Sequence, residues 1–206
     1  MKSLVLASGN PRKHAEIQAL LAPFGTRVVT QAELGITEAG EPHESFLENA
    51  LAKARHACIA TRLPALADDS GLCVDALGGA PGVHSAYYAG HEGNRAERDA
   101  CNNAKLLAEL APHAERSAHY ECVLVLMRGP GDTQPLVAQA QWQGAIARLP
   151  RGSGGFGYDP VFYVPTHDCA AAELSAADKN RLSHRGQALR GLVAAIGLSA
   201  EGDLLA

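Results

Sequence analysis

The 206-residue chain has few aromatic residues, few lysines and no long apolar run, and each shortage narrows what the protein can be. Aromatic residues make up 5% of the sequence, so we expect a core built mainly from Ala, Leu and Val. Because no apolar run approaches the ~20 residues of a membrane span, we expect no transmembrane helix. The N-terminal segment MKSLVLASGN turns polar too early for a signal peptide and is predicted to be a buried strand.

The cysteines and the charge balance exclude several further classes of protein. Five cysteines, an odd number with no Cys-x-x-Cys pair, fit neither a disulfide framework nor a zinc site and favour a reducing compartment. The net charge of −4 argues against a protein whose main function is to bind a nucleic-acid backbone. We therefore expect a soluble, single-domain, cytoplasmic protein with no membrane and no nucleic-acid partner.

Hydrophobic periodicity predicts alternating strands and helices near both ends of the chain. Apolar residues at helical spacing predict a helix over residues 45–60. Asn10 as N-cap with Pro11 at the first helical position predicts a helix over 11–21, and the capping-box spacing of Asn94 and Glu97 predicts one over 94–110. A C-terminal helix is predicted over 184–196. Short apolar runs predict strands at 4–7, 28–30, 66–67, 119–127, 136–147 and 161–164. The stretch 78–93 is predicted to be a loop, and the last helix to stop at Gly197. Because a turn over residues 129–132 joins two long strands as an antiparallel pair, we expect an α/β protein with a mixed sheet.

A tight turn between the first strand and the first helix is a candidate phosphate site. It consists of Ser8, Gly9, Asn10, Pro11, Arg12 and Lys13. The N-terminus of a helix attracts anions, and Lys13 adds a full positive charge there. Only 5 of the 18 basic residues are lysines, so Lys13 and Lys179 mark places where a compact charge is needed. The pattern is not a Walker A loop, and an ordinary strand-to-helix turn remains the alternative.

Adjacent carboxylates at Asp68 and Asp69 are candidate ligands for a metal ion. Two such groups after an apolar segment are costly unless they are solvated, paired or bound to a cation. Mg²⁺ prefers oxygen ligands and retains water, so one or two carboxylates suffice. A second ligand could come from the upstream glutamates Glu38, Glu41, Glu44 and Glu48. A surface turn with solvated carboxylates is the alternative.

A glycine-rich loop over residues 152–160 places Phe156 between glycines, where its ring could stack on a flat base. Donors on Lys179, His184 and Arg185 could bind a carbonyl oxygen of that base or a phosphate. An inward-packed Phe and ordinary surface cations are the alternatives. Taken together, these segments describe a nucleotide site.

The same residues occur in motifs that resemble the Ham1-like (inosine triphosphate pyrophosphatase) family. The similarity runs in order from residue 3 to about residue 196 and rests on SGN with Lys13, FLENA with Lys53, ADDSGL from Ala67, LGGAPG from Leu77, GGFGYDP from Gly154 and SHRGQA from Ser183. This resemblance implies a homodimer with a long mixed sheet flanked by helices, forming two lobes with a central cleft. It implies Mg²⁺-dependent hydrolysis of ITP, dITP and XTP to the monophosphate and pyrophosphate.

The resemblance also assigns roles to individual residues. Asp69 becomes the general base or a metal ligand, with Glu41 or Asp68 as further ligands, and Ser70 touches the substrate. The remaining substrate-binding positions are Ser8 to Lys13 for phosphate, Phe156 for stacking, Gly157, Tyr158 and Asp159 for the pocket wall, and Lys179, His184 and Arg185 to complete it. Two departures stand out, since Tyr87 occupies a position where the family usually has Arg, and Ser8 one where Thr is common.

Our hypothesis for the mechanism is attack of a water molecule on the α-phosphorus, with Asp69 or a neighbour taking the proton and Lys13 stabilising the leaving pyrophosphate. Donors facing a 6-keto oxygen would disfavour adenine, which lacks it. Three alternatives remain at this point: a pyrophosphatase of other modified nucleotides such as pyrimidines, a nucleotide sensor without catalysis, and a nucleic-acid-binding module.

Overall fold

The structure is a computed structural model that describes residues 3–196. Its helices are α1 (Pro11–Leu21), α2 (Phe46–Thr61), α3 (Arg95–Glu109), α4 (Ala176–Leu182) and α5 (His184–Ala195). Its strands are β1 (Ser3–Leu6), β2 (Arg27–Thr30), β3 (Ala65–Val74), β4 (Ser117–Met127), β5 (Leu136–Ile146), β6 (Phe162–Val164) and β7 (Cys169–Ala170). None of the helices in this range is long and apolar enough to cross a membrane.

The strands form one mixed seven-stranded sheet in the order β2-β1-β3-β4-β5-β6-β7. Strand β1 runs parallel to β2, with Leu4 opposite Val28, and parallel to β3. By contrast, β6 runs antiparallel to both β5 and β7. The predicted α/β class with a mixed sheet is therefore confirmed.

Strand β3 is much longer than the predicted strand at residues 66–67. It continues through Asp68, Asp69, Ser70 and Gly71 to Val74. Aspartate is disfavoured in strands, which is why the sequence indicates a strand end at this point. In the fold, lysines from two different helices pair with the two carboxylates, and these ion pairs hold both aspartates within the strand.

Three smaller features differ from the sequence predictions or lie beyond the structure. The predicted loop at 78–93 contains a 3₁₀ helix, Gly82–Tyr87. Strand β7 has only two residues, too few to produce a hydrophobic pattern. The predicted helix stop at Gly197 lies outside the described residues.

The chain divides into two compact units. Within the described residues, the first comprises residues 3–69, 122–140 and 185–196, and the second comprises 70–121 and 141–184. In the first unit, alternate residues of β1 and β4 face opposite sides of the sheet. Leu4 and Leu124 pack with α1 and α5, whereas Val5 and Val123 pack with Ala-rich α2. This core matches the composition, because it consists mostly of aliphatic side chains.

The second unit concentrates the few aromatic residues in its core. The ring of Tyr120 lies 4.7 Å from Phe162 and 6.2 Å from Trp142, measured between centroids. Leu106 and Leu110 of α3 pack into the same cluster. The expectation of a core built mainly from Ala, Leu and Val therefore holds for both units, and the second unit adds a group of aromatic rings to it.

Local capping signals correctly predict where two helices begin. Asn94 caps α3 and forms the predicted capping box with Glu97, whose carboxylate accepts the Asn94 N–H at 2.7 Å. Asn10 caps α1, and Pro11 occupies its first turn. These contacts involve residues two or three positions apart, so the sequence contains the whole interaction.

We expect Leu124→Ala to reduce the free energy of unfolding by about 2–5 kcal/mol, because it opens a cavity in a fully buried position of β4. Val137→Ala on β5 is the control: Val137 is 47% exposed, and its truncation should change stability by no more than about 0.5 kcal/mol. Urea denaturation of both variants measures the difference. Equal losses in the two variants would contradict the placement of Leu124 in the core.

Candidate active site

The alternation of side chains along β3 sends Asp68 and Asp69 to opposite faces of the sheet. Asp68 shares its face with Leu66, which packs in the core formed with α1 and α5. Asp69 shares its face with Ala67, which packs in the core formed with α2. Two neighbouring carboxylates therefore have different side-chain partners, and the two groups adjoin, since Lys53 Nζ also donates to the Asp68 carbonyl at 2.9 Å.

Asp68 is fully buried and receives two cations. Its carboxylate lies 2.5 Å from Lys13 Nζ and accepts a hydrogen bond from Arg185 Nε at 2.7 Å. Arg185 also pairs with Glu16 of α1, so two cations and two carboxylates balance. Burial alone would raise the pKa of Asp68, but Arg185 and Lys13 outweigh it and hold that pKa well below its usual range. Asp68 is therefore ionised at neutral pH.

The loop before α1 has its first backbone donors already in use. Asn10 Oδ1 accepts from the N–H groups of Arg12 (3.1 Å) and Lys13 (3.4 Å), and Ser8 Oγ accepts from the Asn10 N–H (3.2 Å). Gly9 lies against the Glu38 carboxylate, because a Cβ built there would be 1.7 Å from Glu38 Oε1. An anion at this loop would consequently depend on the Lys13 ammonium more than on the helix N-terminus.

An open pocket of about 330 Å³ lies beside this loop. Its lining consists of Gly9, Asn10, Pro11, His14, Thr30, Ala32 and Glu33. The N–H of Thr30 donates to Glu33 at 2.7 Å, and this hydrogen bond, together with one from the Thr30 hydroxyl, lowers the pKa of Glu33. The pocket wall thus combines three residues of the predicted phosphate loop with the Glu33 carboxylate, whose charge repels an anion on that side.

Asp69 belongs to a cluster with one ammonium and two carboxylates. Lys53 Nζ of α2 donates to Asp69 Oδ1 at 2.8 Å and to Glu41 Oε1 at 2.6 Å. Burial would lower the pKa of Lys53, but the two carboxylates raise it further than burial lowers it. Burial raises the pKa of Asp69 against the lowering effects of Lys53 and Lys13, and Glu41 adds to the increase. The cluster therefore carries an excess negative charge, and Asp69 is the better proton acceptor of the two aspartates.

The Asp69 cluster has the chemistry that a divalent cation needs. Asp69 Oδ2 is buried and has no hydrogen-bond partner in the described part of the chain, and Glu41 is 42% exposed. Hard cations such as Mg²⁺ take carboxylate oxygens and keep water as their other ligands. Within residues 3–196, no three His, Cys, Asp or Glu side chains form a complete metal site. Asp68 does not fit as a further ligand of the same ion, because its carboxylate faces the other side of the sheet and is bonded to Lys13 and Arg185.

In the second unit, Asp159 organises the glycine-rich loop. Asp159 Oδ2 accepts from the Phe156 N–H at 2.7 Å and from Lys179 Nζ at 2.6 Å. Gly155 has a φ of +68°, and a Cβ there would lie 2.0 Å from Asp159 Oδ2. A side chain at this position would displace the carboxylate, so glycine is required for the loop to close on Asp159.

Phe156 and His184 are each held by an aromatic or cationic contact. Lys179 Nζ lies 4.5 Å from the centroid of the Phe156 ring. The His184 ring stacks on Tyr120 at 4.6 Å with an interplanar angle of 7°. The hydroxyl of Tyr120 in turn donates to Asp159 Oδ1 at 3.4 Å. The half-buried Phe156 ring therefore lies beside a set of buried polar side chains, Asp159, Lys179 and His184.

The structure brings some of the predicted residues together and assigns others elsewhere. Lys179, Asp159 and Phe156 form one cluster, as do Lys13, Asp68 and Arg185. Arg185 directly follows His184 in the chain, and its guanidinium is bonded to Asp68. The ring of Tyr158 packs in the aromatic core, and its hydroxyl donates to the Ser85 carbonyl at 2.9 Å. Ser70 lies within β3.

Several contributing residues were not predicted from the sequence. Lys53 stands in the motif that begins with FLENA, with no role assigned to it, although the scarcity of lysine marks it as it marks Lys13 and Lys179. Asn49 gave no signal, although its amide bonds both backbone groups of His43 and so holds the segment that contains Glu41. Other residues with no local signal are Glu16, Arg95, Asp99, Asn103 and Tyr120.

Comparisons with known proteins agree with the resemblance seen in the motifs. A family model described as the Ham1 family matches residues 4–195. A protein of Ralstonia nicotianae named dITP/XTP pyrophosphatase is 60% identical over 193 residues, which cover 94% of this chain and 96% of that protein. A protein of Nitrosomonas europaea with the same name is 56% identical, with coverage of 94% and 93%. Among solved structures, a HAM1 protein from Coxiella burnetii has a TM-score of 0.87 at 47% identity, covering 96% of this chain and 99% of its own.

We expect Asp68→Asn to cost about 3–5 kcal/mol of stability at neutral pH, because it leaves the buried Arg185 without its main counter-charge. The control is Asp75→Asn, the same chemical change at an exposed residue just after β3, and it should change stability by no more than about 0.5 kcal/mol. Because the folded-state pKa of Asp68 is depressed, its stabilisation is present above the ordinary Asp pKa and is lost in stronger acid. Denaturation at several pH values measures both effects; a variant as stable as the control would show that the cluster is not a structural requirement.

Proposed function

Because the chain belongs to the Ham1 family, we propose that it is a nucleoside-triphosphate pyrophosphatase that hydrolyses the non-standard purine nucleotides dITP, XTP and ITP. The products are the nucleoside monophosphate and pyrophosphate. The observation that carries the proposal is Asp69, whose buried, unpartnered oxygen lies in a cluster with Lys53 and Glu41. Relatives that cover most of the chain are named for the same reaction.

The first unit is proposed to bind the triphosphate. Lys13 supplies a positive charge at the loop of Ser8, Gly9 and Asn10, and its ammonium is fixed by Asp68. A compact ammonium suits phosphate oxygens, because its three N–H donors can meet an oxygen from several directions. Arg185 supports this role indirectly, since it holds the Asp68 carboxylate from its other side.

Asp69 and Glu41 are the residues that would hold Mg²⁺. When bound, this ion neutralises phosphate charge and lowers the pKa of a coordinated water. The chain itself contributes two features to this arrangement. The Lys53 ammonium holds both carboxylates, at 2.8 Å from Asp69 Oδ1 and 2.6 Å from Glu41 Oε1. Burial keeps the pKa of Asp69 above its ordinary value.

The reaction is proposed to proceed by direct attack of water. The water oxygen bonds to the α-phosphorus while the bond from that phosphorus to the oxygen bridging to the β-phosphate breaks. Asp69 Oδ2 takes the proton from the water, and the pyrophosphate leaves with the electron pair of the broken bond. Lys13 stabilises the negative charge that develops on the leaving group. No covalent intermediate is required, so Ser70 is proposed to contact substrate and not to act as a nucleophile.

The second unit is proposed to bind the base. Phe156 offers a face for stacking, and Lys179 and His184 offer donors for the 6-keto oxygen of hypoxanthine or xanthine. Adenine carries an amino group at that position and would leave a buried donor unpaired, which penalises ATP strongly. Gly157 and Asp159 support the ring through the backbone of the same loop.

We propose that the protein acts as a homodimer in the cytoplasm. There it would remove deaminated purine nucleotides from the pool before they are incorporated into DNA or RNA. The absence of a paired set of cysteines suits this reducing compartment.

Product analysis tests the proposal directly. The purified protein is incubated with Mg²⁺ and with ITP, dITP, XTP, ATP or GTP, and the products are separated by ion-exchange chromatography. We expect IMP and pyrophosphate from ITP, with much slower conversion of ATP and a loss of activity when EDTA removes the metal. IDP and phosphate would show attack on the γ-phosphorus instead, which would contradict the reaction proposed here.

Asp69→Asn is expected to reduce kcat by at least about 100-fold, because an amide cannot accept the proton from water. Its control is Asp75→Asn, which makes the same change at an exposed position of the 3₁₀ turn after β3 and should leave kcat unchanged. Tight binding of ITP without turnover in the wild-type protein would identify a nucleotide sensor in place of an enzyme.

A further inference from the structure

One face of α3 lies against the loop that carries Phe156. Arg95, Asp99 and Asn103 are spaced four residues apart on this helix, so their side chains project on the same side. All three contact the loop at Phe156 or Gly157, and all belong to the second unit. We refer to these three residues as the α3 stripe.

The α3 stripe binds both backbone groups of Gly157. Asp99 Oδ2 accepts a hydrogen bond from the Gly157 N–H at 2.9 Å. Asn103 Nδ2 donates to the Gly157 carbonyl at 2.9 Å. Gly157 has a φ of +63°, a conformation that favours glycine. The helix therefore fixes the position and the orientation of the residue that directly follows Phe156.

The other end of the same short segment is fixed independently. The Phe156 N–H donates to Asp159, and the ring contacts Lys179 at 4.5 Å and the Arg95 guanidinium carbon at 5.7 Å, measured to the ring centroid. The backbone N–H groups of Phe156 and Gly157 are thus each bound by a carboxylate. Two cations, Lys179 and Arg95, lie near the Phe156 ring. Such a ring keeps one orientation, as a stacking platform must.

The stripe is not arranged for stability alone. Arg95 Nε and Asn103 Oδ1 are both buried without a hydrogen-bond partner in the described residues. Unpaired buried polar atoms destabilise a fold, so a helix face that served only to pack would carry apolar side chains here. Asn103 is nevertheless only 9% exposed, and its amide nitrogen donates to one backbone carbonyl of the loop.

We propose that Asp99 and Asn103 are positioning residues that hold Phe156 for stacking on the purine base. This inference rests on the proposed function. It links α3 to binding of the substrate's base, and not of its phosphates, because α3 fixes the loop at Phe156 and Gly157. The proposed reacting groups, Asp69 and Lys13, belong to the first unit and have other partners. Loss of either contact to Gly157 should therefore weaken binding of the base and leave the chemical step intact.

Steady-state kinetics with ITP tests the role of Asp99. Asp99→Leu removes the acceptor and should raise KM about tenfold, the effect of losing one hydrogen bond to a charged group, while kcat changes less than about twofold. Asp99→Asn keeps an oxygen at the same position and should restore most of the affinity. Glu92→Gln, the same change of charge at an exposed residue before α3, is the control and should leave both constants unchanged.

Asn103→Asp tests the second contact, because it keeps the shape of the side chain and removes the donor to the Gly157 carbonyl. We expect a rise in KM similar to that of Asp99→Leu. Because both residues fix one glycine, the double variant Asp99→Leu/Asn103→Asp should raise KM by less than the product of the single effects. Inhibition by the products separates base from phosphate: IMP should inhibit these variants about tenfold more weakly, whereas inhibition by pyrophosphate stays the same.

The outcomes distinguish this inference from the proposed function. Unchanged KM and IMP inhibition in folded variants, with an active wild type, would overturn the positioning role alone; equal losses for IMP and pyrophosphate would do the same. If wild-type protein shows no turnover, the proposed reaction fails, and calorimetric titration with IMP still tests the stripe by comparing wild type with variants. No binding of IMP by wild type would overturn both. Should Asp99→Leu not fold, the near-isosteric Asn103→Asp decides.

Discussion

The ion pairs at Asp68 are the interaction on which the proposed phosphate-binding part depends. This carboxylate is fully buried within a strand and would be unstable there without compensating charge. Lys13 from α1 and Arg185 from α5 provide it, so one side chain joins a central strand to two helices on the same side of the sheet. The lysine that we propose for phosphate binding is consequently oriented by the core of the fold and not by its own loop.

Much of the fold could be predicted from the sequence wherever the deciding contacts are local. The start of α1 at Asn10 and Pro11, and that of α3 at Asn94, depend on neighbours two or three residues away. Strand β3 could not be predicted to its full length, because the partners of Asp68 lie 55 and 117 residues away in the chain. The division into two units is likewise invisible to a local pattern, since each is assembled from separate segments.

The candidate site shows the same limit at the level of single side chains. Residue types and motifs identified Lys13, Asp69, Phe156 and Lys179 as chemically significant, but not what each one touches. Arg185 has the chemistry of a base-reading donor, and only the structure shows that its guanidinium is bonded to Asp68. Asn103 belongs to no motif, because an asparagine on a helix gives no sign that its amide fixes a glycine 54 residues away.

The scarcity of lysine has a consequence for the chemical reactivity of the folded protein. Of the four lysines within the described residues, three are paired with buried carboxylates at Asp68, Asp69 and Asp159, and only Lys105 is exposed. Arginine supplies most of the remaining positive charge and does not react as an amine. Within residues 3–196, a reagent that acylates amines therefore finds one exposed lysine, and the three less accessible lysines are the ones that the site depends on. Unfolding would expose those three amines together, so acylation reports whether the two units are folded.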